Sequence, residues 1–597
     1  MATVLQRDAP RPEPDEAASL AFLDRVDDEI RAWAKDSKFE EQANTWERFR
    51  EGSAWPATTP GGRKPIFDAN ILGNLIERKV ASLTQSKPDF LVAGRKPGLE
   101  GPSHIYTMVS RAILDENQLD ARIERAADMA ATYGFVGFNT AWDPWADYGN
   151  GNIITRVIHP RHLGVDRNVL DTTELHKAAY LTIDTPMPLV DIRRIWPGRG
   201  ALVKPNPAFS VYEKAGRQTV SWWRGVTRPL ERAGRPESPY PYALVREYWL
   251  RSEQLDPDTA QLRYPTGRVI HRAGDVILDE GPNPYWDGGW PIDVWDWRLD
   301  VNSFAGRSDV DALRKLQEAF SRFGDAVVQN ALVFAVISVV AEHDALTPEG
   351  WKALDDRVAR IIKTQRNRKF EIQPPPEIPA SYFMLFDAFQ RMMETIVGVP
   401  QASQGNRQEG VVAASAVEGL QVAAETLVRS CARRLEYVIE RIGQKLISRI
   451  TQFYTTDRVL TLLGDSSNWQ SYAFERAKLL SGNEGSMSEE EKRAYFTNFQ
   501  FRVTPLSSLP MNKTQRALLS MKLLEAGLID GIEVLKQAEY PNYEAVYARA
   551  QKANAENAAA MEEKMMKAAL LGVKLPSGGG GGGASSNRRG TTMNLGG

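Results

Sequence analysis

The residues of this chain that could do chemistry are few, and their spacing limits what they could do. His159 and His162, in IHPRHLGVD, stand three apart and could offer two imidazoles to a metal ion. Pro160 between them keeps the pair off a helix, and no cysteine or obvious third ligand lies near, so a tetrahedral ligand set is not met. Their expected role is capping and packing at a turn. Asp143, Asp147 and Asp166 fall in the same region and could gather around magnesium, which needs converging oxygens. Aspartates in a loop such as WDPWADYGNG are more simply turn residues. The Gly61-Gly62-Arg63-Lys64 turn lacks the spacing and the hydroxyl of a phosphate-binding loop, and neither GxSxG nor HExxH occurs. The expectation is therefore no catalytic residue, no metal and no cofactor. A metal-dependent hydrolase or nuclease built on the three aspartates is the catalytic alternative.

The elements around these residues give more. Residues 18–52 read as an amphipathic helix with Leu20, Leu23, Val26, Ile30, Trp33 and Ala34 on one side. A second helix, DANILGNLIERKVASLTQ, is opened by Asp68 or Asn70 as its cap, and Pro88 forces the following SKPDFLVAG into extended structure. Helices at about 103–117 and 119–134 lead into a hairpin, GFVGFNTAWDPWADYGNGNIITRVI. Residues 176–300 mix a short helix at Leu189–Trp196 with strands in TVSWWRGV, ALVREYWLRS and GRVIHRAGDVILDEG. The N-terminal half is thus α+β.

The middle of the chain has a different texture. A helix (GRSDVDALRKLQEAFSRFGDAVVQNA) is followed by a β-prone excursion, a second helix (ASYFMLFDAFQRMMETIVG), a Gly/Gln/Asn loop (VPQASQGNRQEG) and a long third helix ending near Tyr454. In that third helix Leu420, Leu427, Cys431, Leu435, Val438, Ile442, Leu446 and Ile450 recur at three, four or seven residues, making one apolar stripe. The opposite faces carry Glu425, Arg429, Arg433, Arg434, Glu440, Arg441, Lys445 and Arg449. Some forty helical residues would run about 60 Å, longer than an ordinary domain is wide. Such a helix is expected to bundle with neighbours or with copies of itself, through Leu435, Val438, Ile442 and Leu446. Residues 457–505 are again β-prone, ending in FQFRVTPLSSLP, and from Asn512 the pattern is helical. The tail SGGGGGGASSNRRGTTMNLGG has no core to build and is expected to be disordered.

At 597 residues and 42% hydrophobic content the chain can hold several domains with substantial cores. Its 74 basic and 76 acidic side chains leave a net charge of only -2, so any contact with nucleic acid should be loose rather than a clamp of cations. The single cysteine, Cys431, excludes an internal disulfide and suits a reducing compartment. The acidic, Pro-rich start has no signal-peptide core. The longest apolar run, 331–341, is about half of a membrane span, so no membrane partner is expected.

Taken together, these segments resemble the portal proteins of tailed double-stranded-DNA bacteriophages. The resemblance covers residues 15–570 and rests on order and texture. It is carried by NLIERKVASLTQSKPDFLV, by AADMAATYGFVGFNTAW followed by IHPRHLGVDRN, by the helix, excursion, helix, loop and long-helix series, and by FRVTPLSSLPMNKTQRALLSMKLLEAGLIDGIEVLKQAEYPNYE. It implies an α+β portal-protein fold with an α/β wing, a two-helix stem, a small α/β clip, a long kinked tunnel-lining helix and a helical crown. On that pattern residues 1–306 and 456–505 would be the wing, 307–330 and 380–397 the stem helices, and 331–379 the clip. The tunnel loop would be 398–412, the long helix 413–455, the crown 506–575 and the Gly-rich tail 576–597.

The function implied is a homo-oligomeric ring, a dodecamer by similarity, at the unique capsid vertex of the virion. It would be assembled in the host cytoplasm with the major capsid protein and scaffold. The ring would pass double-stranded DNA without sequence preference during packaging and ejection. It would dock the terminase large subunit and then head-completion or tail adaptor proteins. Gln404, Asn406, Arg407, Gln408 and Glu409 of the loop would meet the DNA; mixed polar groups avoid the deep wells that clustered phosphate contacts create. In the clip, β-branched runs flank a helix at 348–362, and copies from neighbouring subunits could pair these strands. Lys363, Arg366, Arg368 and Lys369 would be a solvated turn or a docking face for a partner or exiting DNA. A different ring-forming connector component is the structural alternative.

Overall fold

The computed structural model describes residues 16–52, 67–85, 88–205, 241–251, 262–334, 338–341, 370–373, 380–398, 426–463, 469–480 and 487–503, with short helical pieces between 520 and 552. The chain divides into two compact units, 1–462 with 470–510, and 463–469 with 511–597. In the second unit Ser520 and Val534 are buried, and residues 520–524, 534–535 and 549–552 are helical.

The first unit mixes helix and sheet, as α+β patterning requires. The single helix expected at 18–52 is two, α1 (Glu16–Asp36) and α2 (Phe39–Arg50). The break is local: Ser37 Oγ donates to the Trp33 carbonyl at 2.8 Å, and Lys38 takes a left-handed φ of 52°. The turn lets the Trp33 and Phe39 rings meet at 5.6 Å. In α3 (Ile71–Thr84) Asn70, not Asp68, is the cap, accepting from the Gly73 N–H. α4 (Glu100–Glu116) and α5 (Leu119–Tyr133) follow. Gly134 ends α5 at φ 90°, where a Cβ would lie 2.0 Å from the Gly306 carbonyl oxygen. Only glycine allows that approach.

Strands β2 (Phe135–Asp143) and β3 (Asn152–Ile158) form the expected hairpin, and β9 (Ile292–Asp296) adds to the other side of β2. A five-stranded antiparallel sheet runs β4 (Leu163–Val165), β5 (Tyr180–Pro188), β6 (Tyr242–Leu250), β7 (Arg268–Ala273) and β8 (Val276–Pro282). Leu23, Val26, Ile30 and Ala34 of α1 share a core with Tyr248 and Ile270 of this sheet. That contact also seals a buried charge network: Arg246 bonds Asp184 at 2.5 Å and Asp27 at 2.8 Å, while the Tyr248 hydroxyl donates to Asp27. Helix α6 (Leu189–Ile195) packs with Trp196 on a small separate core. The strand expected at TVSWWRGV lies outside the described residues.

The central series has the expected order. α7 (Asp309–Phe334) leads to β10 (Ser338–Ala341); β11 (Phe370–Gln373) leads to α8 (Ala380–Val397). β10 and β11 pair antiparallel within one chain, so the two ends of the excursion close on each other. The long helix is described as α9 (Thr426–Phe453), 28 residues or about 42 Å. Its start at 413–425 and the helix expected at 348–362 fall outside the described residues.

α9 crosses β9 on one side and a two-stranded sheet on the other, formed by β1 (Phe90–Gly94) and β14 (Phe499–Val503). At the crossing, a Cβ on Gly443 would sit 2.2 Å from the Phe501 ring, so helix and strand touch only because residue 443 is glycine. The outward edge of β14 is closed by α9 side chains. The Gln444 amide donates to the Phe499 carbonyl and accepts from the Phe501 N–H, and Glu440 accepts from the Val503 N–H. One helix thus satisfies a strand edge that would otherwise invite pairing. Hairpin strands β12 (Arg458–Leu463) and β13 (Trp469–Phe474), then α10 (Arg476–Leu479) and α11 (Glu489–Ala494), precede β14; α11 opens with a Ser488–Glu491 capping box.

One strand residue ties stability to pH. Glu247 of β6 is buried opposite His271, and burial pushes its carboxyl up from 4.5 to about 7. Its folded pKa is the higher one, so its favourable contribution is complete below pH 4.5 and lost as pH rises through 7. Glu247→Gln should therefore leave the melting temperature nearly unchanged at low pH and raise it above pH 7. Thermal unfolding across that range checks this; equal shifts at both ends would refute it.

Candidate functional site

The expected series of helices has to be anchored to the α+β body, and one carboxylate does most of that anchoring. Asp309 is the first residue of α7 and is fully buried. Ser308 before it accepts from the N–H groups of Val310 and Asp311 and donates to the Thr132 carbonyl at the end of α5, fixing where α7 begins. The Asp309 carboxylate takes 2.8 Å bonds from Lys79 Nζ of α3 and from Trp297 Nε1, and pairs with the Arg298 guanidinium at 2.5 Å. Arg298 also donates to the Ile396 carbonyl near the end of α8. Cys431 of α9 donates its thiol to the Trp297 carbonyl at 3.3 Å, and burial pushes that thiol up to about 11. Four helices and the segment after β9 thus meet at one negative charge, placed at a helix N-terminus where the backbone favours it.

The long helix is held on its other face by a row of cations. Arg434 pairs with Asp296, Arg441 and Lys445 share Asp293, and Arg449 pairs with Asp287 at 3.0 Å. Arg449 is fully buried and lies 3.9 Å above the Tyr285 ring, a cation–π contact. Burial lowers the Lys445 pKa, with Asp293 opposing that shift. The polar side of α9 is therefore an interior surface, joined to β9 and the loop before it.

This changes the reading of the apolar stripe. Leu435, Val438, Ile442 and Leu446 are at most 3% exposed in the single chain and lie in its main core. Side chains already covered by their own chain have no surface left for a neighbour, so the expectation that they mediate ring contacts is corrected. Periodicity showed that the stripe is buried but not by what.

Exposed apolar surface lies instead on α8. Phe386 of α8 joins Phe320 and Phe323 of α7 at 5.0–5.1 Å, an aromatic clasp holding the two helices together. Around the first turns of α8, Tyr382, Phe383, Met384 and Leu385 are all exposed, Phe383 by 58% and Met384 by 72%, and Met392 follows. Four consecutive residues cover nearly the whole circumference of a helix.

The residues read for chemistry are occupied elsewhere. His159 Nδ1 accepts from the Arg161 N–H, capping a short turn, and its ring meets Tyr133 at 4.9 Å; burial lowers the pKa of both His159 and His162. Asp143 accepts from the Trp145 N–H and pairs with Arg156, and Asp166 accepts from the Asn168 and Ala179 N–H groups. Asp147 is an exposed turn residue at φ 49°. Among the described residues no three His, Cys, Asp or Glu side chains are arranged to hold a metal, and no helix is long and apolar enough to cross a membrane. The loop residues Gln404, Asn406, Arg407, Gln408 and Glu409, and the basic cluster Lys363, Arg366, Arg368 and Lys369, lie outside the described residues.

The Asp309 junction escaped sequence reading, although one signal was present. Lys79 falls on the apolar face of α3 with Leu72, Leu75, Ile76, Val80 and Leu83. A lysine at a core position needs a buried carboxylate.

Residues 226–472 match a family model described as Phage SU10 portal protein, which bears out the resemblance to phage portal proteins. That family is structural rather than catalytic. No match was found among curated proteins.

Asp309→Ala should strand the Lys79 ammonium without a partner and cost about 3–5 kcal/mol. Adding Lys79→Met should recover part of that loss. Urea unfolding at neutral pH measures both, and an Asp309→Ala variant as stable as wild type would show that Lys79 does not depend on this carboxylate.

Proposed function

We propose that this chain, with the phage portal pattern across residues 226–472, is the subunit of a portal ring at the unique vertex of a capsid. The family match supports a ring-forming, capsid-associated structural protein. The observation that carries the ring is the first part of α8. A stretch as apolar as Tyr382–Phe386 belongs inside something, and its own chain covers only the side facing α7, through Phe386 and part of Tyr382. Burying Tyr382, Phe383, Met384, Leu385 and Met392 against further copies would turn an exposed apolar patch into an assembly interface.

In this reading α7 and α8 are the stem, β10 and β11 the root of the clip, and α9 the support of the loop at 398–412. The sheets before α7 and the strands after α9 form the wing, and 506–575 the crown. DNA would pass the loop during packaging and ejection, touching Gln404, Asn406, Arg407, Gln408 and Glu409. The near-neutral chain and the weakly charged loop both suit a passage that must not grip. The basic cluster Lys363, Arg366, Arg368 and Lys369 would face the terminase during filling and the adaptor proteins afterwards. Twelve copies is the stoichiometry that the likeness suggests.

Two outcomes test this. Phe383→Asp with Met384→Asp changes only exposed positions, so the protein should fold as wild type by circular dichroism yet give no annular particles in negative-stain electron microscopy. Persisting rings would remove α8 from the interface. Arg407→Ala with Glu409→Ala should form normal rings but alter packaging efficiency, and wild-type packaging would mean that the loop does not meet DNA.

A further inference from the structure

A ring built from one repeated contact needs two different, complementary surfaces on every copy. Rotation about the ring axis leaves the height of each residue unchanged, so the two surfaces must also lie at the same level. The hairpin of α7 and α8 carries such a pair.

Its own packing sets the levels. Arg298 joins the start of α7 to the end of α8, and β10 pairs with β11 beyond their other ends, so the two helices run antiparallel. Phe386 meets Phe320 and Phe323 at 5.1 and 5.0 Å, and Phe323 lies between Tyr382 and Phe389 at 5.4 and 6.4 Å. Asp387 of α8 is then level with Arg322 of α7, and Arg391 with Glu318, each to within about one residue or 1.5 Å of rise.

Both pairs of charges are at the surface. Asp387 and Arg391 stand four apart on one exposed face of α8, and among the described residues neither has an ion-pair partner. On α7, Glu318 and Arg322 are also four apart and pair with each other, their side chains 41% and 64% exposed. At about 100° per residue, each pair lies about 150° around its helix from the rings that clasp the hairpin. Because the helices are antiparallel, the two pairs point in opposite directions, one out of each side of the hairpin. Met384, 72% exposed, stands one turn before Asp387 on the same side of α8.

We propose that α8 of one copy packs antiparallel on α7 of the next, with Asp387 on Arg322 and Arg391 on Glu318, the hairpins standing side by side along the ring axis. Read from the base outward, α8 presents plus then minus and the neighbouring α7 presents minus then plus, so each charge meets its opposite. A slip of one turn either way sets Arg391 on Arg322 or Asp387 on Glu318. Exposed ion pairs contribute only about 0.2–1 kcal/mol each. Burial of Met384 and its apolar neighbours therefore holds the contact, and the charges fix its register. The proposal rests on the ring reading above and names the surface that receives α8.

The test reverses these charges in the full-length chain. Asp387→Arg with Arg391→Glu should lower ring yield in negative-stain electron microscopy by about tenfold, or about 1.4 kcal/mol per contact, with an unchanged circular dichroism spectrum. Glu318→Arg with Arg322→Glu should do the same. All four changes in one chain restore the match and should restore rings. Reversals without effect, or a fourfold variant no better than the double variants, would overturn the proposal while wild-type rings keep the ring reading standing. Cross-linking reads the contact directly. Asp387 and Arg322 of one chain lie on opposite sides of the hairpin, so Arg322→Cys with Asp387→Cys can form a disulfide only between copies, and the native Cys431 is buried. Mild oxidation should give a ladder of covalent multimers from this variant and from neither single one; a protein that stays monomeric would refute the contact. Wild-type protein that forms no rings would remove the reading beneath the proposal.

Discussion

The carboxylate of Asp309 is the constraint on which the described architecture turns. It sits where α7 leaves the body, with Lys79, Trp297 and Arg298 converging on it and Arg298 reaching on to the end of α8. A buried ion pair gains little over well-packed apolar residues, because desolvating both charges offsets their attraction. Its consequence here is geometric. An apolar contact tolerates sliding, whereas a carboxylate with three donors has one satisfactory position, and that position fixes the start of α7 relative to α3, α8 and α9. Arg298 is a quarter exposed, so the excess positive charge of the cluster is eased by water while the Lys79–Asp309 pair stays dry. Gly134 and Gly306 allow the chain to come close enough for this arrangement.

The same logic of fixed position governs α9. An amphipathic helix held only by an apolar stripe can rotate by a few degrees or slip by a fraction of a turn. α9 cannot, because its second face is pinned at four cations to Asp296, Asp293 and Asp287, and its flank closes the β14 edge through Gln444 and Glu440. Removing a single member of this row would leave buried charge behind, which explains why the helix reads as strongly charged and yet exposes few of those charges. A helix so fixed is a rigid mount for whatever precedes it in the chain.

Local structure was legible where one physical rule decided it. The Asn70 cap, the extended segment after Pro88, the β2–β3 hairpin and the helix at 189–195 follow from short-range chemistry and appear as read. The α1–α2 break was not, because Lys38 in a left-handed conformation has no composition signal of the kind a glycine gives. Long-range partners were the real limit. Periodicity showed that Leu435, Val438, Ile442 and Leu446 must be covered, and could not say that their own chain covers them. Nor could it show that Arg441 and Lys445 face β9, since nothing local separates a solvated cation from one meeting an aspartate some 150 positions away in sequence.

What remains uncovered after those long-range contacts form is therefore more telling than what is apolar. The stripe on α9 is the stronger apolar pattern in the sequence, but its demand for burial is met inside the chain. The demand of α8 is not. The aromatic clasp to α7 uses Phe386 and the edge of the Tyr382 ring and leaves Phe383, Met384 and Leu385 in water. Holding a whole apolar turn in solvent is unfavourable in a lone chain, and the cost disappears only when another surface covers it. An arm fixed at its base by Asp309 and apolar near its far end presents that turn in a defined direction. Orientation set at the base and unmet burial farther out together are the features on which the proposed ring reading rests.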